Sequence, residues 1–136
     1  MSSILTPILV LVSWTLVMWL WMYATRLPAM SKADIDPQDA AHPGSLNVLP
    51  SEARRIADNY NHLHEQPTIF YALAVYCHLT GMTDSTTMML AWGYVAIRVL
   101  HSLVQATINK VMLRFVLFAA GSIVLIVMAV RALLAL

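Results

Sequence analysis

Cysteine occurs once in this chain, at Cys77, and charged residues fill only 11% of its 136 positions. A lone cysteine excludes an internal disulfide framework, and with it the paired thiols that a membrane disulfide oxidoreductase needs. So little charge beside 60% hydrophobic residues excludes an ordinary soluble domain of this length. A net charge of +1 leaves no basic surplus for nucleic acid and no acidic solvating arm. Internal repeats and low-complexity segments are lacking too, which excludes repeat and tail architectures. The first apolar run has no basic stretch before it and no small-residue cleavage site after it, so it is expected to be a retained helix and not a signal peptide.

What is present is apolar sequence in membrane-sized lengths, and the partner it names is the lipid bilayer. About twenty apolar residues cross a hydrocarbon core as a helix, so the chain has room for roughly four crossings in one domain over 1–136. The expected fold is all-α, an integral membrane four-helix bundle. Its helices are placed at about 4–25, 51–79, 85–106 and 110–135, around a long polar loop over 26–50. Pro28 is expected to end the first helix, and Pro37, Pro43, Gly44 and Pro50 mark the loop. The second helix divides into a polar half up to Gln66 and an apolar half from Pro67, with a bend where Pro67 removes a backbone donor. Arg26, Lys32, Arg54, Arg55, Lys110 and Arg114 gather at one end of the bundle. By the positive-inside rule the first and third loops are cytoplasmic and both termini periplasmic, as in a bacterial inner membrane.

Within the apolar body, Glu65 and Arg98 are ionisable residues at bilayer depth, where such groups mark function by default. Counting about 1.5 Å per residue from the 81–84 turn, Glu65 lies about 24 Å up one arm and Arg98 about 21 Å up the other, so the two are expected at one level. Arg54, Asp58, Asn61 and Glu65 share a sector of about 60° on the second helix. Arg98, His101, Ser102, Gln105 and Asn109 form a broader stripe, about 100° wide, on the third. Two such stripes predict one polar, net basic chamber near the cytoplasmic edge, with Arg26 and Arg114 at its rim. Two readings of Glu65 and Arg98 stay open: a structural ion pair locking two helices, or that pair together with a small ligand carrying carboxylates. Arg26, Arg54, Arg55, Lys110 and Arg114 can each equally snorkel to headgroups. His62 and His64 stand about 200° apart on a helix and lack a second ligand pair, so no metal site is expected. Trp14, Trp19 and Trp21 read as lipid-facing and interfacial anchors.

The run from Asn61 through His62, Glu65 and Pro67 to Phe70, the Arg98-Val-Leu-His101 element and Arg114 together resemble the MAPEG family, membrane-associated proteins in eicosanoid and glutathione metabolism. The resemblance covers nearly the whole chain. It implies a homotrimer with glutathione as co-substrate between adjacent subunits, held by Arg26, Asn61, His62, Glu65, His101 and Gln105. Arg114 is then the catalytic thiolate stabiliser, acting by conjugation to a lipophilic electrophile or by reduction of a lipid hydroperoxide. Three positions depart from the family pattern. His62 stands where the family has asparagine, with Asn61 one place earlier; Gln105 replaces a common tyrosine; and Phe115 replaces a polar residue found in some catalytic members. The alternative is a non-catalytic scaffold or lipid-binding trimer with the same fold. A small multidrug transporter ranks last, because the first helix carries no acid in its body.

Overall fold

The computed structural model describes residues 3–42 and 44–136; Pro43, one of the expected loop prolines, and the first two residues lie outside them. The chain folds into four helical legs: α1 (Leu5–Lys32), a second leg made of α2 (Ser51–His62) and α3 (Gln66–Leu79), α4 (Ser85–Ala106) and α5 (Val111–Leu134). The expected all-α bundle is present, and α1, α4 and α5 are each long and apolar enough to cross a membrane. Neither α2, with 12 residues, nor α3, with 14, reaches that length, so the second leg holds no single helix long enough to cross.

Two boundaries differ from the sequence expectation. Helix α1 runs through Pro28 to Lys32 instead of ending near Thr25. Pro28 takes a donor from the Ala24 carbonyl, but both residues lie on the exposed side of the helix, where that carbonyl is not trapped in the core. Met30, buried, ties the extension down. The second leg, expected to be one bent helix over 51–79, is instead interrupted at 63–65. Pro67 has no N–H for the Leu63 carbonyl, and the end of α2 tightens into short-range bonds, His64 N to Asn61 O at 3.0 Å and Glu65 N to His62 O at 3.2 Å. Helix α3 then restarts at the Glu65 carbonyl, which accepts from the Thr68 hydroxyl at 2.6 Å.

The core lies where the inner faces of the legs meet, around Leu11, Met18, Phe70, Tyr94, Leu125 and Met128. The Phe70 and Tyr94 rings stack with centroids 4.8 Å apart. Gly121 allows α5 to approach α4 closely, since a Cβ there would stand 3.3 Å from Tyr94 Cε1 and 3.5 Å from Ile97 Cγ2. The opposite face of α5, with Ile123, Ile126 and Val130, is exposed and suited to acyl chains. At the far end, Gly81 takes a left-handed conformation (φ +77°) in the α3–α4 turn. Beside it, the Asp84 carboxylate accepts from Thr87 Oγ1 at 2.6 Å and Arg131 Nη2 at 2.7 Å.

Two expectations follow. Gly121→Leu should lower bundle stability by about 1–3 kcal/mol through overpacking against Tyr94, read as a fall in thermal midpoint in detergent. The Thr87 hydroxyl, followed by Arg131, holds the Asp84 carboxyl below its ordinary range. A carboxyl whose folded value is depressed stabilises at higher pH and loses that contribution as pH falls through the folded value. Thermal midpoints should therefore drop in acid below the ordinary carboxylate range, and Asp84→Asn should flatten that drop.

Candidate functional site

The polar stripe of α4 turns inward as its spacing predicts. Arg98 and Ser102 are fully buried, and His101 and Gln105 nearly so, whereas Asn109 lies beyond the helix in the α4–α5 turn. Helix α2 meets this stripe with a different row from the expected one. Arg54, Asp58, Asn61 and Glu65 are all exposed; the row one residue on, Arg55, Asn59 and His62, makes the contacts. Asn59 Nδ2 donates to Ser102 Oγ at 2.7 Å, Arg55 Nε to the Ala106 carbonyl at 3.3 Å, and Arg98 Nη2 reaches His62 Nδ1 at 3.1 Å. Ala53, Ile56, Ala57, Tyr60 and Leu63 form the apolar arc of α2, and the two rows flank it on opposite sides at about equal angles, so the arc alone does not choose between them. The readable signal for Asn59 is its place about 40° from the Leu63 edge of the arc, a place Asn61 shares at the Ala57 edge. The network of Gln66, donating to Ser122 Oγ at 2.7 Å and accepting from Tyr94 at 3.1 Å, joins three legs and has no comparable local signal.

The expected direct ion pair of Glu65 with Arg98 is corrected. Interruption of the leg at 63–65 swings Glu65 outward to 68% side-chain exposure, with its carboxylate 3.7 Å from His62 Nε2. Arg98 instead meets the C-terminal end of α2, touching the His62 ring and, at 3.4 Å, the His62 carbonyl. Of the buried guanidinium, Nη2 meets a ring nitrogen and the negative end of a helix dipole, whereas Nε and Nη1 are buried with no hydrogen-bond partner among the described residues.

The single chamber expected from the sequence is two clefts in this subunit. The first, about 390 Å³, lies between α1, α2 and the loop, and is lined by Arg26, His42, Asn47, Arg54, Asp58 and Asn61. The second, about 200 Å³, lies between the end of α2, α4 and α5, and is lined by His62, His101, Val111, Arg114, Phe115 and Phe118. Gln105 is buried and borders neither. In the second cleft the His62 and His101 rings stack at 5.0 Å, nearly parallel, with Phe118 edge-on to His62 at 5.9 Å. Arg114 is held from behind, its Nη1 donating at 2.7 Å to Asn109 Oδ1, and Asn109 occupies the left-handed region at φ +51°. That conformation suits asparagine and turns its side chain back onto the first turn of α5. His101 Nδ1 and Arg114 Nε are buried with no protein partner. Chemically, the second cleft offers one fixed cation and two imidazoles at the edge of an apolar surface, and the first offers two arginines beside an acid.

Ser102→Ala should leave the buried Asn59 amide without its acceptor and cost about 1–3 kcal/mol. Adding Asn59→Leu should recover part of that loss, a coupling that a double-mutant cycle of thermal unfolding in detergent would read.

The family model described as MAPEG family matches residues 4–134 of the chain. No curated protein and no solved structure matches it to a significant degree.

Proposed function

The chain belongs to the MAPEG family, membrane proteins of glutathione and eicosanoid metabolism, and from that premise we propose that it binds glutathione between adjacent subunits of a homotrimer and uses its thiolate on a lipophilic substrate. In a transferase step the thiol gives up its proton and the thiolate sulfur bonds to an electrophilic carbon, which either expels a leaving group with its bonding electron pair or, at an activated double bond, passes the π pair to the neighbouring atom, where a proton is taken up. In a peroxidase step two glutathione thiols are oxidised to a disulfide while a lipid hydroperoxide becomes an alcohol and water. The observation that carries this reading is Arg114, buttressed by Asn109, over a cleft whose other polar walls are His62 and His101. A guanidinium beside a thiol favours the ionised nucleophile, and a positively charged, partly exposed setting is where reactive thiolates form.

The rest of the donor set fits the tripeptide's charges. Glutathione carries two carboxylates and one ammonium group; Arg26 and Asn61 in the first cleft suit a carboxylate, and Glu65, exposed at the end of α2, suits the ammonium. In this reading the Arg26 cleft of one copy faces the Arg114 cleft of the next. His62 and His101 then hydrogen-bond the ligand, with Gln105 one turn beyond His101 supporting that wall. The lipophilic substrate arrives from the bilayer against Phe115 and Phe118, both exposed beside Arg114. In this reading the basic end faces the cytoplasm of a bacterial inner membrane and the chain is one domain. A non-catalytic, lipid-binding trimer is the competing reading, favoured by Phe115, 63% exposed at the mouth of the second cleft.

Thiolate absorbance, followed while purified protein is titrated with glutathione at neutral pH, tests the proposal. Wild type should develop the signal. Arg114→Ala should lose it, together with roughly a hundredfold of conjugation or peroxidase turnover. Absence of calorimetric glutathione binding at millimolar concentration would overturn the proposal and favour the scaffold reading.

A further inference from the structure

A guanidinium has five donors, no acceptor and no accessible neutral form, so any ring nitrogen it bonds must offer a lone pair. Arg98 Nη2 stands 3.1 Å from His62 Nδ1, and the arginine is fully buried in α4. The same Nη2 lies 3.4 Å from the His62 carbonyl, which ties it to the peptide as well as to the ring. We infer that Arg98 is a positioning residue that holds His62 as a neutral imidazole with its proton on Nε2, so that the ring presents a donor, and no basic nitrogen, to the cleft of His101 and Arg114.

The surroundings of the ring point the same way. From α4 it faces Arg98 and His101; from α5, Arg114 and Phe118; from its own leg, Glu65. A second proton on the ring would have to sit on Nδ1 against the Arg98 donor, breaking that bond and placing a third cation between two arginines. The Glu65 carboxylate, the only anion at hand among the described residues, lies on the opposite edge, 3.7 Å from Nε2, where it matches an N–H donor. His101 is not held in this way, for its Nδ1 has no partner. Two stacked imidazoles of the same residue type thus differ in what they can do. His62 donates, and taking up a proton would cost it the Arg98 bond; His101 carries no such restriction.

The consequence for ligands rests on the proposed glutathione site: the ligand atom opposite His62 must be an acceptor, a carboxylate, carbonyl or thiolate, and His62 does not remove the thiol proton. The tautomer itself is tested without any ligand. Protein labelled with heavy nitrogen at histidine and arginine, in lipid nanodiscs at neutral pH, is examined by solid-state magnetic resonance, with His62→Asn assigning the His62 ring signals by their loss. The expected wild-type spectrum has an unprotonated, hydrogen-bonded Nδ1, a protonated Nε2, and a through-space contact from Nδ1 to an Arg98 terminal nitrogen. In Arg98→Met that contact should vanish and the Nδ1 resonance should shift to that of a ring nitrogen free of a cationic donor. A protonated Nδ1 in wild type, or an unchanged His62 spectrum in Arg98→Met, overturns the inference. The wild-type measurement stands even if the variant does not fold, and its outcome is independent of whether glutathione binds.

Discussion

The meeting of the Arg98 guanidinium with the C-terminal end of α2 is the contact on which the rest of the site depends. A permanent cation inside a membrane protein is tolerated only where other groups replace its hydration. Here Nη2 finds the His62 ring and carbonyl at the end of α2, where that carbonyl also accepts from the Glu65 amide. The interruption at 63–65 is therefore more than a disturbance imposed by Pro67. By ending α2 it leaves the His62 carbonyl accepting from Arg98 as well as from the Glu65 amide, and by restarting the helix at Gln66 it sends that side chain to Tyr94 on α4 and Ser122 on α5.

From this contact the second cleft takes its shape. His62, anchored from α4, becomes the platform for the His101 ring, and Phe118 closes the edge. Arg114 approaches from the other side on an independent support, Asn109, whose left-handed backbone belongs to the turn and not to either helix. Two unrelated local devices, a helix end and a tight turn, thus aim a donor ring and a cation into one volume of about 200 Å³. Neither device draws on Glu65, the residue whose charge stood out most in the sequence.

Much of this was legible in the residues and some was not. The α4 stripe could be read because a single uninterrupted helix carries it, so that spacing alone fixes which side chains share a face. The crossings were legible for the same reason, since α4 and α5 begin and end close to where composition changes. On α2 the polar residues are so numerous that two adjacent rows qualify, one on each flank of the apolar arc of Ala53, Ile56, Ala57 and Leu63, and spacing alone does not tell the buried row from the exposed one. For Glu65 it was azimuth that spacing misjudged. A proline can break a helix or bend it, and the difference rotates every residue beyond it. The continuation of α1 through Pro28 is the converse case, in which a proline on an exposed face costs too little to stop the helix. The family itself was legible from the order of Glu65, Pro67, Arg98, His101 and Arg114, and the match over 4–134 establishes it.

The divided second leg has one more consequence, for the lipid around it. An unbroken helix must tilt as a rigid rod when the hydrocarbon layer thins or thickens, carrying every side chain with it. Two short rods joined by three non-helical residues are not bound to tilt together, the upper one being amphipathic and the lower one apolar. The joint between them is held to α4 by the bonds of Arg98 to the His62 ring and carbonyl, so the rings of the second cleft are tied to a helix that is itself unbroken.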